Sequence, residues 1–191
     1  MGFLEKGAFV LIKHRNSQRR IYLDNAVYFI TFKTYGNFPY FKLPIFCDLF
    51  VEELMLCKTI KQFELYAYNV LYDHVHLLLK PRRKYNISKI IKSLKENASR
   101  DINYVITGRY NVGDTSTCRL HVRGFINECR KKFVNQYGTN QIHFPPFKWQ
   151  QSFHDHVIRN EKDFANHYNY VVYNHQKHGL PENWKYTSLK P

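Results

Sequence analysis

The order of apolar segments along the chain predicts an α+β fold, in which helices pack on a small antiparallel sheet. Short stretches rich in β-branched and aromatic residues indicate strands. Longer segments repeat apolar residues at helical spacing. The two kinds of segment alternate along the chain, so we expect a single domain over residues 1–191, with a short C-terminal tail from about residue 179.

The first half of the chain supplies a strand, a helix and a hairpin. Residues 27–34 are dense in β-branched and aromatic residues and precede a Gly-Asn-Phe-Pro turn, which predicts the first strand. Pro44 suits the first turn of a helix, and apolar spacing extends that helix to about residue 61. Residues 65–80 form two apolar runs around Tyr72-Asp73, which predicts a β-hairpin.

The second half supplies two further helices and one further strand. Residues 86–88 offer a cap, and apolar spacing then predicts a helix to about residue 104. Residues 105–146 are turn-rich and are interpreted as an insertion, with 126–133 as a candidate helix. Residues 149–158 are predicted as the last strand, and Asn160 caps a helix to about residue 175. This order predicts a ferredoxin-like α/β sandwich with an insertion before the last strand.

The charge balance points to a polyanionic partner. The chain has 29 Lys and Arg against 15 Asp and Glu, which gives a formal charge of +14 and a pI near 9.6. Such a surplus repels itself in the folded state, and binding to phosphates relieves that repulsion, so nucleic acid is the leading partner class. An inert basic surface is the alternative. We expect no membrane partner, because no basic amphipathic helix stands apart from the predicted fold.

The cysteines indicate a reduced compartment. None of the four belongs to a C-x-x-C pair, and no secretory leader is recognisable, so we expect a cytoplasmic protein. A zinc site is weakly suggested, but its spacing matches no common zinc finger. Its candidate ligands are Cys118, His121 and Cys129.

The second arm of the hairpin opens with a His-x-His motif. Side chains alternate along a strand, so His74 and His76 point to the same face. Two neighbouring imidazoles on a strand suit a metal site or a phosphate-handling site. Partly buried, hydrogen-bonded histidines without a ligand are the alternative interpretation of the motif.

The last helix carries the second set of candidate residues. Its core stripe is predicted from Phe164, Tyr168, Val171 and His175. Tyr170 and Asn174 are one turn apart beside that stripe, and they reach the histidines only if the helix crosses the sheet near them. The chain has 15 tyrosines, so Tyr170 alone is weak evidence. Of its rivals, packing explains Tyr168, and Tyr173 points to another side of the helix.

Several cationic side chains are candidates for backbone contacts with DNA, although a solvated surface explains the helical ones equally well. These candidates are Arg15, Arg19, Arg20, Arg82, Arg83, Lys84, Lys89, Lys92, Lys95 and Arg100. Exposed aromatic side chains stack on unpaired bases in many single-strand binding proteins. Tyr35, Phe38 and Trp149 are candidates for that role, with burial in the core as the alternative.

Four segments together resemble one protein family. They are the strand at 28–32, His74-Val75-His76, the helix at 88–103, and the run from Trp149 through Asn160, Tyr170 and Asn174 to Gly179. The chain resembles the single-tyrosine HUH transposases, and among them the REP-associated tyrosine transposases of bacteria. The resemblance covers most of the chain except residues 105–146. It departs from the family at His175, where proline is common.

The resemblance implies a site and a reaction. It places the metal-binding histidine pair at His74 and His76, a further metal ligand at Asn174, and the nucleophile at Tyr170. It implies Mg²⁺ or Mn²⁺ as cofactor and single-stranded DNA with a hairpin as partner, in a monomer or a homodimer. The implied activity is DNA nicking and joining in transposition, through a 5′-phosphotyrosyl intermediate. A DNA-binding regulator without cleavage and a non-covalent metal hydrolase remain open alternatives.

Overall fold

The computed structural model describes residues 22–82, 85–109, 120–138 and 144–188. Within them, four strands and four α-helices follow one another in chain order. They are β1 (Tyr28–Lys33), α1 (Pro44–Lys61), β2 (Glu64–Val70), β3 (His74–Lys80), α2 (Ile87–Thr107), α3 (Leu120–Tyr137), β4 (His154–Val157) and α4 (Glu161–Lys177). This order confirms the predicted alternation of strands and helices.

The four strands form one antiparallel sheet in the order β2-β3-β1-β4. This is the strand order of a ferredoxin-like sandwich, so the predicted fold class is confirmed. The hairpin β2-β3 turns at Leu71–Asp73, where the predicted Tyr72-Asp73 turn lies. In the register of the sheet, His76 of β3 lies opposite Thr31 of β1 and opposite Asn69 of β2.

Helices cover both faces of the sheet. The helices α1 and α2 pack together on one face, and α3 packs against both of them. Their main core includes alternate strand residues, namely Tyr28, Ile30, Phe32, Val75, Leu77 and Leu79. On the other face, α4 packs on β2 and β3 through a smaller cluster. That cluster contains Ala67, Leu78, Val171 and Val172. The last helix therefore crosses the sheet face that carries the histidine pair.

Local sequence signals set the helix ends. The side chain of Asn86 accepts a hydrogen bond from the backbone of Lys89, and that of Asn160 accepts one from Asp163, so both act as predicted caps. Pro44 lies in the first turn of α1. After α4, Gly179 adopts a φ of 67°, a left-handed conformation that favours glycine and stops the helix.

The predicted insertion is less separate from the core than expected. The helix α2 continues to Thr107, and α3 extends well beyond the candidate segment 126–133. Val122, Ile126, Cys129 and Phe133 of α3 are buried in the main core. Arg130 donates from Nη1 to the backbone carbonyls of Val105 and Ile106, which satisfies carbonyls at the end of α2. Part of the predicted insertion therefore completes the core.

The last strand is shorter than predicted. Only His154–Val157 pairs as a strand, whereas Trp149 forms an isolated bridge with Thr34. The C-terminal tail runs beside the free edge of β2, where Val70 donates to the Tyr186 carbonyl and Ser188 donates to the Tyr68 carbonyl. Among the described residues, no helix is long and apolar enough to cross a bilayer.

Candidate metal and nucleophile site

Two histidines of β3 face α4 with their rings 4.9 Å apart between centroids. Both are buried, and each ring is held through its Nδ1 atom. Nδ1 of His74 lies 2.6 Å from the Asp73 carboxylate, and Nδ1 of His76 lies 2.7 Å from Oγ1 of Thr31. A carboxylate or hydroxyl on Nδ1 fixes the ring and leaves Nε2 as the metal-binding atom.

Burial keeps both imidazoles neutral at ordinary pH. It lowers the pKa of His76 to about 3, and the neighbouring His74 and His178 contribute to the shift. Burial also lowers the pKa of His74, although the hydrogen bond to Asp73 opposes that shift. Metal ions bind the neutral form of imidazole, so a cation competes with few protons here.

The helix α4 brings a stripe of residues to this pair. Tyr170, Asn174 and His178 are spaced by four residues each, so they lie on one side of the helix. The ring of Tyr170 lies 5.2 Å from that of His76, and the ring of His178 lies 4.9 Å from that of His74. Asn174 lies between these two contacts along the helix. The predicted convergence of the last helix on the histidines is therefore present.

Two buried polar atoms fit a cation between these elements. Nε2 of His76 and the carboxamide nitrogen of Asn174 have no hydrogen-bond partner among the described residues. A buried polar group without a partner is costly. Rotation of the Asn174 amide exchanges its nitrogen for an oxygen, which is a ligand that Mg²⁺ and Mn²⁺ accept. The residues His74, His76 and Asn174 thus have the chemistry of a divalent cation site, and two of them, His76 and Asn174, each have an unused buried atom.

Tyr170 combines accessibility with contact to the site. It is 39% exposed, and its ring also meets that of Phe29 at 5.7 Å. The ammonium group of Lys177 lies 5.1 Å from the Tyr170 ring centre, so a cation accompanies the phenol. An exposed tyrosine beside a buried histidine pair is available to a polymeric substrate.

The predicted core stripe of α4 is wrong in part. Val171 and His175 are buried, but Tyr168 is 36% exposed and stacks on Phe164 at the surface. Asn174, which we placed beside the stripe, is buried. The helix is rotated towards the sheet on its Asn174 side. Exposure therefore does not separate Tyr168 from Tyr170, whereas the ring contact with His76 distinguishes Tyr170.

Two side chains that the sequence analysis did not single out anchor α4 next to Tyr170. Nδ2 of Asn69 donates to the Val171 carbonyl at 2.8 Å, and Oγ1 of Thr187 donates to the Val172 carbonyl at 3.1 Å. Both bonds are buried and both join α4 to the β2 edge of the sheet. They fix the rotation of the helix and hence the direction of the Tyr170 side chain. Only the packed structure brings these distant residues together.

A second polar cluster lies where β4 meets α4. Nε2 of His156 and Nδ1 of His167 each lie 3.0 Å from a carboxylate oxygen of Asp163. The hydrogen bond with His156 contributes most to lowering the pKa of the Asp163 carboxyl. The two rings are stacked with an interplanar angle of 17°. One ligand atom from each of the three residues lies within 4.8 Å of the other two, so this cluster is a second group that could hold a metal ion. The sequence analysis missed it.

The predicted DNA-contacting residues fall into three groups. Arg15, Arg19, Arg20, Arg83 and Lys84 lie outside the described residues. Arg82 forms an exposed ion pair with Glu64. The remaining four line a groove between α2 and residues 146–153, on the face of the sheet opposite α4. They are Lys89, Lys92, Lys95 and Arg100.

The cations of this groove differ in their contacts. Lys95 donates to the backbone carbonyl of Gln150 at 2.6 Å, and Arg100 donates to Asn97. Both therefore contribute to the structure of the groove. Lys92 is exposed and forms a long 3.8 Å pair with Glu96. Lys89 and Lys92 are thus the most accessible of the four predicted side chains.

The three aromatic candidates for base stacking differ in burial. Trp149 packs among Phe32, Phe41 and Phe147, and its Nε1 donates to the Lys95 carbonyl, so it belongs to the core. Phe38 is half-buried against Tyr40. Tyr35 is 69% exposed.

Of the weakly suggested zinc ligands, Cys129 is buried and free, Cys118 lies outside the described residues, and the side chain of His121 is not described.

Comparisons with known proteins find similarity to transposases. The family model described as "Transposase IS200 like" matches residues 50–112, a segment that contains the histidine pair. A Haemophilus influenzae protein described as a candidate REP-associated tyrosine transposase is 34% identical over 132 residues. An Escherichia coli REP-associated tyrosine transposase is 38% identical over 52 residues. Over residues 50–112 the chain is therefore similar to the IS200-like transposases.

The share of each chain that these matches cover determines which conclusions they support. The first match covers 66% of this chain and 59% of the relative, and the second covers 27% and 28%. The chain thus spans less than two thirds of the length of either IS200-like relative. A solved structure, a REP-associated tyrosine transposase bound to a REP hairpin, aligns with 91% of this chain and 82% of its own. At 20% identity and a TM-score of 0.54, it supports the fold.

Proposed function

We propose that the chain is a metal-assisted enzyme that cuts and rejoins single-stranded DNA through a covalent bond between Tyr170 and a 5′-phosphate. The contact between the Tyr170 ring and His76 carries this proposal, because it joins an accessible nucleophile to a buried pair of metal-binding groups. Asn174 supports it, since its buried amide lies one turn beyond Tyr170. Similarity to transposases supports DNA cutting and joining as the reaction class.

The chain's own residues have distinct roles in the proposed reaction. The Tyr170 hydroxyl loses its proton, its oxygen bonds to phosphorus, the bond from phosphorus to the 3′-oxygen breaks, and that oxygen gains a proton. Attack by another 3′-hydroxyl on the phosphotyrosine reverses these steps and rejoins DNA. His74, His76 and Asn174 would hold Mg²⁺ or Mn²⁺, while Asp73 and Thr31 orient the imidazoles. The bound cation would offset charge on the phosphate, because a phenol with a pKa near 10 is a weak nucleophile.

The groove on the α2 face is the proposed path for the rest of the DNA. Its lining carries Lys89, Lys92, Lys95, Arg100, Arg109 and Lys148, with Glu96 as its carboxylate. A hairpin substrate is proposed because the solved relative is described as bound to one. Each phosphate contact contributes about 0.9 to the slope of log affinity against log salt. Lys92→Ala should therefore lower that slope by about this amount in hairpin-binding titrations, and an unchanged slope would exclude Lys92 from the contact surface.

The nucleophile is tested by trapping the covalent adduct. A hairpin-bearing single strand with a label at its 3′ end is incubated with the protein and Mn²⁺, then denatured and separated by electrophoresis. The label lies on the fragment that stays attached, so a shifted protein band reports the phosphotyrosine. We expect Tyr170→Phe to abolish this band, and the matched controls Tyr168→Phe and Tyr173→Phe to retain it. An adduct formed by Tyr170→Phe would refute the assignment.

The same reactions distinguish the other functions. A regulator without cleavage would bind the labelled strand and leave it intact in Mn²⁺. A non-covalent hydrolase would release shorter DNA without any protein adduct. Cleavage that persists in EDTA would contradict the role of the cation.

A further inference from the structure

A third imidazole lies beside the histidine pair, and the sequence analysis gave it no role. His178 follows Asn174 by four residues and continues the stripe that carries Tyr170. Its ring centroid lies 4.9 Å from that of His74, with an angle of 68° between the ring planes. The separation between His74 and His76 is also 4.9 Å, at 84°. His74 therefore has an imidazole neighbour at the same distance on each of two sides.

These separations match imidazoles that share one ion. A nitrogen–metal bond of about 2.0–2.1 Å, the length found for zinc, places each ring centre roughly 3.2 Å from the metal, and the larger Mn²⁺ ion increases this slightly. Two rings at about 90–110° around the ion then have centres roughly 4.5–5.3 Å apart. Both measured separations fall in this interval, and steeply inclined ring planes allow in-plane lone pairs to converge.

The backbone of His178 is fixed although its side chain is exposed. Leu180 donates to the His175 carbonyl and Gly179 donates to the Gln176 carbonyl, which is the hydrogen-bond pattern of a Schellman motif. Leu180 is buried, so the chain is anchored directly after the turn. This helix end holds His178 beside His74 independently of any ligand. The imidazole also lies close enough to His74 and His76 to lower the pKa of both.

We propose that His178 is a further ligand of the divalent cation held by His74, His76 and Asn174, and that it favours Mn²⁺ over Mg²⁺ at this site. Imidazole nitrogen suits first-row transition metals, whereas Mg²⁺ prefers oxygen ligands. A third imidazole therefore adds affinity selectively for Mn²⁺. This inference rests on the proposed function, because it needs the cation site.

Metal binding tests the inference without any DNA. Free Mn²⁺ is measured by electron paramagnetic resonance during titration of the intact protein, and Mg²⁺ affinity is measured by competition. We expect His178→Ala to weaken Mn²⁺ binding about tenfold or more and to change Mg²⁺ affinity less than about threefold. Pulsed measurements of nitrogen coupling should show one imidazole fewer on the bound ion. Gln176→Ala is the matched control, since this exposed residue lies outside the stripe.

Two further variants separate the possible failures. His156→Ala reports any Mn²⁺ bound at the second polar cluster, and His76→Ala removes a ligand of the proposed site. If His76→Ala loses Mn²⁺ while His178→Ala binds it as the wild type does, the inference is wrong and the proposed site stands. If His76→Ala also binds Mn²⁺ normally, the site itself is wrong. Parallel loss of Mn²⁺ and Mg²⁺ affinity in His178→Ala would refute the selective role.

Discussion

On the α1 and α2 face of the sheet, β3 contributes Val75, Leu77 and Leu79, all buried among apolar neighbours. On the α4 face, the same strand contributes His74, His76 and Leu78, so two of its three inward side chains are polar. Both faces exclude water, but among the side chains that the structure describes, buried imidazoles lie only on the α4 face. Replacing such groups by apolar ones removes a desolvation cost. The contrast is consistent with the proposed binding site on the α4 face, at some expense of stability.

Buried polar atoms without hydrogen-bond partners also distinguish the α4 face. On the α4 face, Nε2 of His76 and the amide nitrogen of Asn174 lack partners among the described residues, and a bound cation would employ both positions. Nε2 of His175 is also buried without a partner there, and nothing in the structure explains it. A cation between β3 and α4 would therefore satisfy two of these buried atoms, one on each element.

The largest expected effects separate the two faces directly. Leu77→Ala opens a cavity in the main core and should lower the free energy of unfolding by about 2–5 kcal/mol. His76→Ala, at the neighbouring position of the same strand, should abolish adduct formation and cost less than about 1.5 kcal/mol. Urea unfolding and the adduct assay measure the two effects. Adduct formation per folded molecule should survive in Leu77→Ala at low temperature.

The opposite assignment of effects to Leu77→Ala and His76→Ala would contradict the division between a core face and a site face. If His76→Ala unfolds as readily as Leu77→Ala, the histidine pair is a structural element of the fold. If Leu77→Ala loses adduct formation while it remains folded, the two faces are not independent.

One carboxyl group makes the core face sensitive to pH. Asp101 of α2 is fully buried, and burial together with Glu53 raises its pKa to about 8. In the unfolded chain an aspartate has a pKa of about 3.9, so the folded state binds the extra proton between these values. Stability should therefore fall as pH rises from about 4 to 8, with a slope of at most about 1.4 kcal/mol per pH unit.

Asp101→Asn should remove this dependence. The amide needs no proton, so the variant should gain roughly 1–3 kcal/mol over the wild type at pH 8 and little at pH 5. Thermal unfolding across this pH range measures the difference, and Glu53→Gln provides a matched change on the facing carboxyl. A wild-type stability that rises from pH 5 to pH 8, with Asp101→Asn parallel to it, would contradict a protonated Asp101.

Periodicity predicted most of the fold because most elements obey simple rules. The hairpin, α1 and the capped start of α4 follow from apolar spacing, Pro44 and Asn160, all of which act within a few residues. The extent of α3 escaped prediction, because turn-rich sequence surrounds it and its apolar face is stabilised by α1 and α2. The last strand was predicted too long, since Trp149 packs into the core instead of continuing the β4 ladder.

The site was predictable only where one element supplies several members. His74 and His76 share a strand face, and Tyr170 and Asn174 share a helix side, so spacing alone pairs them. Contact between the two elements depends on α4 crossing the sheet, which no local rule determines. The contact between His178 and His74 escaped prediction, because a residue at a helix end is normally solvated. The hydrogen bond from Thr187 to the Val172 carbonyl joins the C-terminal tail to α4, and no periodic pattern in the sequence predicts it.

The smallest expected effect tests whether the C-terminal end of α4 positions His178 for metal binding. Gly179 and Gly36 both have positive φ, 67° and 64°, and an added Cβ would meet nothing within 4 Å at either position. Alanine should therefore cost about 1 kcal/mol at each, from backbone strain alone. Gly179→Ala should also weaken Mn²⁺ binding severalfold, because strain in the Schellman motif displaces His178. Gly36→Ala, between β1 and α1, should leave Mn²⁺ affinity unchanged, and equal metal affinity in both variants would show that the helix end does not position a ligand.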